Sequence, residues 1–177
     1  MSELVLVKPS GDHADMVTDY RSEFFSAGES VINGGSLLEQ IDDYDAWLEL
    51  VSGNRNGIEL ARDWVKDSTF LAIRKADNRM VGIIRIAHEL NDFLRKYAGH
   101  IGFSVRPSER NWGYATQMLE AGKDFCQELG IHNIMLGCYK SNSASQKVII
   151  KCGGILEREQ LYTDGVPMLV YWISLSD

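Results

Sequence analysis

Met16, Val17, Tyr20 and Phe24, and again Tyr44, Trp47, Leu48 and Val51, recur at every third or fourth position, whereas from Thr69 the period changes and by Ile101, Phe103 and Val105 it is every second. A helix gathers every third or fourth side chain on one face, whereas a strand sends neighbours to opposite faces, so neither pattern can serve as the other. The chain is thereby committed to a sheet with helices packed on it. "TFLAIRK" and "MVGIIRIAHEL" flank the turn-like "ADNR", which predicts an antiparallel hairpin. In "GHIGFSVRP", Ile101, Phe103 and Val105 alternate with His100, Gly102, Ser104 and Arg106, and Pro107 stops the strand.

After that strand Ala115, Met118, Leu119, Phe125, Cys126 and Leu129 form one stripe of a helix of about four turns, with Gly130 as its C-cap. "HNIMLGCY" reads as a strand, Asn142 to Cys152 as a helix stopped by two glycines, and "ILEREQL" and "VPMLVYWISL" as strands joined through "TDG". Upstream, "LVLVKPS" is a strand. Asp12 is placed to cap a helix carrying Met16, Val17, Tyr20 and Phe24, and "DDYDAWLELV" forms a second helix beyond the "NGGS" loop. The order is β-α-α-β-β-β-α-β-α-β-β, without internal repeats, and the expected fold is a mixed α/β (α+β) sheet.

The 177 residues, 45% of them apolar, suit a single domain spanning 1–177. Lys plus Arg number 18 against 25 Asp plus Glu, a net charge of −7 that opposes a nucleic-acid surface and permits a cationic substrate. The three cysteines have no CxxC spacing and read as reduced packing residues. No apolar run approaches the roughly 18 residues of a membrane span, and "MSELVLVKPS" lacks the pattern of a signal peptide, so a soluble cytoplasmic protein with no membrane partner is expected.

"SERNWGYATQML" joins the Pro107 loop to a helix. The first amides of a helix lack partners within it, and the dipole there favours negative charge, so this junction is a candidate phosphate site. Neither GxxxxGK[ST] nor GxGxxG occurs. What occurs is Arg110-x-x-Gly113-x-Ala115: a glycine with no side chain to block a phosphate, a small residue in the next turn, and an arginine able to contribute a charge-assisted contact.

These residues resemble the [RQ]-x-x-G-x-[GA] acyl-CoA motif of the GNAT N-acetyltransferase superfamily. Asn142, Ser145 and Gly153 match a second signature, N-x-x-[AS] with a glycine eleven residues after the asparagine. "RIAHELNDFL", "GHIGFSVRPSER" and "KVIIKCGGILE" are similar to a bacterial subgroup of the superfamily. The resemblance implies a mostly antiparallel sheet of about seven strands with helices on both faces. It also implies an acetyl-CoA-dependent N-acetyltransferase whose acceptor, the amine of a small molecule or peptide, attacks directly in a ternary complex. The alternative is a non-catalytic acyl-CoA sensor. By the same resemblance Arg110, Asn111, Trp112, Gly113, Tyr114, Ala115 and Thr116 hold the CoA pyrophosphate, Phe103, Ser104 and Val105 pair with the pantetheine arm between splayed strands, and Asn142, with Ser145, binds the cofactor. A homodimer paired through the last strands is a common assembly of such folds.

The family's usual acid, a tyrosine seven residues after the motif asparagine, is Ile149 here. Tyr139 leads the replacements, ahead of Tyr114 and Tyr162, and His88 or Glu89 is the candidate base, with His100 third. "HELND" has Asp92 where HExxH needs its second histidine, so no zinc site is expected. By family analogy the segment 33–66, with Trp47 and Trp64, covers the acceptor pocket.

Overall fold

The structure is a computed structural model and describes residues 3–53 and 64–175. In chain order it contains β1 (Leu4–Val7), α1 (Ala14–Ser26), α2 (Tyr44–Val51), β2 (Asp67–Arg74), β3 (Arg79–Ala87), β4 (Ile101–Val105), α3 (Tyr114–Glu128), β5 (Asn133–Tyr139), α4 (Ser143–Lys151), β6 (Ile155–Leu161) and β7 (Pro167–Ser174). This is the order that the apolar spacing predicts. The part of the 33–66 segment from 54 to 63 lies outside the described residues.

The strands form two antiparallel sheets, β1-β2-β3-β4 and β5-β7-β6, rather than one continuous mixed sheet. They meet at a bridge between Gly99 and Leu136. There the His100 N–H donates to Met135 O at 2.7 Å, and the Met135 N–H donates to His100 Nδ1 at 3.0 Å. Beyond this junction β4 and β5 have no ladder between them.

Alternation along β2 and β3 serves two cores. Phe70, Ala72, Ile84 and Ile86 face α3 and α4 and pack with Met118, Leu119, Ile134 and Ile149. Leu71, Ile73 and Ile83 face the other way, onto Val17, Tyr20 and Phe24 of α1 and Trp47 of α2. Burial on both faces is why "TFLAI" reads as an unbroken apolar run. Each large side chain so buried contributes roughly 1.5–3 kcal/mol.

Three local expectations are corrected. Entry into α1 is made at Ser10, whose N–H donates to His13 Nδ1 at 3.0 Å, and Asp12 lies inside the short 3-10 turn Gly11–His13. On α3 the core side includes Tyr114 and Gly122, and Leu129, which caps the helix after its last turn, is 40% exposed. The strand expected through Leu90 ends at Ala87, and the connection to β4 winds into the wide turn Leu94–Ala98 under the second sheet.

Candidate active site

The loop between β4 and α3 is fixed by charge pairs that cross the first sheet. Arg106, 2% exposed, donates to Met80 O at 2.8 Å, to Asp19 at 2.7 Å and to Glu23 at 2.9 Å. Glu23 also accepts the Ser108 N–H at 2.7 Å. Burial raises the Glu23 pKa, but the bonds from Ser108 and Arg106 outweigh it and hold the carboxyl below its ordinary range. Glu109 is gripped by Arg74 at 2.6 Å and Arg79 at 2.9 Å.

The chain then takes the left-handed conformation at Asn111 (φ 67) and again at Gly113 (φ 78). Left-handed residues interspersed in a turn swing successive N–H groups toward one concavity, which suits an anion. The first helical bond of α3 runs from Gln117 N–H to Gly113 O at 3.2 Å. Among the described residues the amides from Asn111 to Thr116 have no acceptor, and Gly113 supplies no side-chain cap. A run of unpaired donors at a helix N-terminus is the geometry that the Arg110-x-x-Gly113-x-Ala115 spacing predicts.

Two side chains of that motif point elsewhere. The Arg110 guanidinium grips Glu29 at 2.6 and 2.8 Å, and its Nε donates to Val105 O at 3.2 Å, so the charge expected to face a phosphate is already paired. Tyr114 is 5% exposed, and its hydroxyl accepts from Arg74 at 3.0 Å. Tyr114 therefore offers the concavity only its main chain, and the Arg110 N–H is itself donated to Pro107 O at 3.4 Å. Trp112, by contrast, is 66% exposed beside it.

β4 is the open edge of the first sheet. Bonds from Arg106 N–H to Val81 O and from Ala87 N–H to His100 O set the phase of its pairing with β3. Antiparallel pairs alternate between bonded and non-bonded, so Ser104 and Gly102 spend their main-chain groups on Ile83 and Arg85, whereas Phe103 and Val105 turn theirs to the free edge. Ser104 O also accepts from the Tyr20 hydroxyl at 3.0 Å, and Ser104 Oγ lies 3.1 Å from it.

On the β5 side, Asn142 Oδ1 caps α4 by accepting the Ser145 N–H at 3.0 Å, which leaves its amide NH2 available among the described residues. Ser145 lies within hydrogen-bond reach of Cys138, whose pKa burial raises and this bond lowers, burial prevailing. Ile149, 1% exposed, belongs to the core beneath α4, so no acid can act from that position.

Of the residues expected to do proton chemistry, His88 and Glu89 follow the end of β3 and Tyr139 ends β5. His88 Nε2 lies 2.9 Å from Ser68 Oγ, and its ring packs 6.1 Å from that of Phe125 near the far end of α3 from Gly113; burial first, then Lys66, lowers its pKa. Glu89 is exposed in the following turn. Tyr139 ends β5 with its hydroxyl donating to Asp164 at 2.7 Å and its ring edge-on to Tyr162; that bond and burial push its pKa to about 12. His100 is the junction residue described above. Among the described residues no group of three or more His, Cys, Asp or Glu could hold a metal ion, and no helix is long and apolar enough to cross a membrane.

The model of the GNAT acetyltransferase domain matches residues 3–155, and the chain belongs to this family, enzymes that use acetyl-CoA as acyl donor. The fold is similar to that of a GNAT-family acetyltransferase from Bacillus anthracis at TM-score 0.66 and 20% identity, covering 98% of this chain and 96% of that one. It is similar to the Microcin C7 self immunity acetyltransferase MccE, solved in complex with acetyl-CoA and AMP, at TM-score 0.69 and 14% identity, covering 98% and 93%. A chimera of the Vibrio cholerae spermidine N-acetyltransferase SpeG and hSSAT aligns at TM-score 0.66 and 15% identity, covering 98% and 96%. A comparison with curated proteins gives no match.

Proposed function

We propose that the chain transfers the acetyl group of acetyl-CoA to the amine of a small molecule or peptide by direct attack in a ternary complex. The observation that carries this reading is the run of unpaired amides from Asn111 to Thr116 at the start of α3, beside a β4 edge that diverges from β5 beyond His100. When bound, acetyl-CoA supplies an activated acyl thioester. The main chain from Asn111 to Thr116 holds the pyrophosphate, with the Trp112 ring at the mouth and Arg110 bracing the loop through Glu29. The outward groups of Phe103 and Val105 pair with the pantetheine amides, and Ser104, its own main chain spent on β3, holds that edge in register.

Asn142 contributes its NH2 from the other side of the gap, and Ser145 holds Asn142 in place through the cap. In this reading positioning supplies most of the rate, because a reactant fixed against an unpaired strand edge needs little further ordering. His88 is engaged with Ser68 and Tyr139 is tied to Asp164, so no dedicated acid or base is assigned among them. β6, with Ile155, Leu156 and Leu161 exposed, is the edge through which a homodimer would pair. The burial of Ile149 favours a second reading, acyl-CoA binding without catalysis.

Thermal unfolding with acetyl-CoA tests the first step. At about 100 times its Kd the ligand adds roughly 2.7 kcal/mol of stability. A Tm rise that free CoA reproduces and Gly113→Glu abolishes is expected; the same rise in the variant refutes the placement of the pyrophosphate. Amine-dependent thiol release from acetyl-CoA then separates enzyme from sensor.

A further inference from the structure

At His100 the main chain divides its bonds between two strands. The Ala87 N–H donates to His100 O at 2.8 Å, so the carbonyl belongs to the ladder with β3, while the His100 N–H donates to Met135 O of β5 at 2.7 Å. A bonded antiparallel pair exchanges two bonds between the same two residues. Here the second bond between His100 and Met135 cannot go to the His100 carbonyl, which β3 has taken. It goes to the side chain: the Met135 N–H donates to His100 Nδ1 at 3.0 Å. One residue thus satisfies both main-chain groups of Met135.

The bond is buried, and the ring is in the form it requires. His100 is 8% exposed. With Nδ1 accepting, the proton of the neutral imidazole sits on Nε2. Burial first, then the charge of Arg95, lowers the His100 pKa to about 4, which keeps the ring neutral near pH 7.

The two main chains touch on one side of His100 only. A Cβ at Gly99 would lie 2.1 Å from Met135 O, and one at Gly137 would lie 1.9 Å from Tyr97 O, so the segment before His100 rests directly on β5. After His100, β4 pairs with β3 from Ile101 to Val105 and shares no ladder with β5. Without the imidazole the Met135 N–H would be buried without an acceptor, which is costly. The acceptor that an ordinary antiparallel pair supplies is the His100 carbonyl. It could serve only by leaving Ala87, and β4 would then move from β3 toward β5.

We propose that His100 is a positioning residue for the acyl donor: its ring stands in for a main-chain acceptor, ends the contact between β4 and β5 at this one pair, and so sets the gap that receives the pantetheine arm. The inference rests on the acetyltransferase reading for what enters the gap, and on the divided bonding of His100 for how the gap is held.

The test separates the arm from the phosphates. Titration calorimetry compares CoA with 3′-phospho-ADP, the part of CoA that ends at the pyrophosphate, on the wild type, His100→Asn and His100→Ala. Asn carries a side-chain oxygen that can accept the Met135 N–H, and Ala carries none. In H100A the Kd for CoA is expected to rise about 5- to 10-fold while that for 3′-phospho-ADP stays within about twofold, and H100N is expected to bind CoA within about twofold of the wild type. A role confined to stability would not split the two ligands. Equal losses for both, undiminished CoA affinity in H100A, or H100N as weak as H100A overturns the assignment. Hydrogen exchange needs no variant to fold: the Met135 amide of the ligand-free wild type is expected to be protected, and exchange there at the rate of an open loop also overturns it. Failure of the wild type to bind CoA overturns the acetyltransferase reading and this role with it, whereas CoA binding with equal losses overturns this role alone.

Discussion

Asn142 holds two assignments that one substitution would confuse and two can separate. Its Oδ1 accepts the Ser145 N–H at 3.0 Å and caps α4, and its NH2 is assigned to the cofactor. Asn142→Ala removes both. Loss of such a cap costs about 1 kcal/mol, which in a chain of this size lowers Tm by roughly 2–4 °C. Loss of one hydrogen bond to the cofactor costs about 1 kcal/mol more in binding, or about fivefold in Kd. Asn142→Ser keeps an oxygen that can cap and removes the NH2, so its Tm is expected to stay within about 1 °C of the wild type while its Kd for CoA rises by the same factor of about five. Scanning calorimetry reads the first quantity and titration calorimetry with CoA the second. Wild-type affinity in N142S refutes the cofactor role, and an unshifted Tm in N142A refutes the cap.

Three further outcomes follow from the same contacts. Arg110→Ala and Glu29→Ala are expected to weaken CoA binding to the same small extent, and the double variant no further, because Arg110 acts by clamping the loop to Glu29; a loss confined to R110A would mean direct contact with the phosphate. Burial, then the charge of Arg95, lowers the His100 pKa from 6.5 to about 4, so the unfolded chain binds the extra proton first and stability falls as pH drops from 6.5 toward 4, by at most about 3 kcal/mol. Protonation also removes the acceptor for the Met135 N–H, and the wild-type Tm should fall across that window more steeply than that of His100→Gln; parallel curves refute the role. Tyr139→Phe is expected to leave thiol release from acetyl-CoA within about twofold of the wild type, since a phenol held near 12 and bonded to Asp164 is a poor proton donor; a drop beyond about tenfold would restore it as the acid.

The elements and the phosphate loop were legible because they rest on local chemistry. The hairpin about "ADNR", the stop at Pro107 and the helix opening at Gly113 each follow from residues within a few positions of one another. The side-chain roles were less legible. Arg110 reads as a phosphate contact until Glu29 arrives from the end of α1, 81 residues away in sequence.

What the sequence by itself determined is the succession of strands and helices, the αL glycine that starts α3 with unpaired amides, and the absence of a tyrosine at position 149, because backbone preference and apolar spacing act over one or two turns. What only the tertiary structure decided is that the strands form two sheets joined at His100 and Met135, that Phe103 and Val105 rather than Ser104 present the free edge, and that His88 meets Ser68 and Tyr139 meets Asp164. Pairing phase and the meeting of charges depend on where distant segments come to rest.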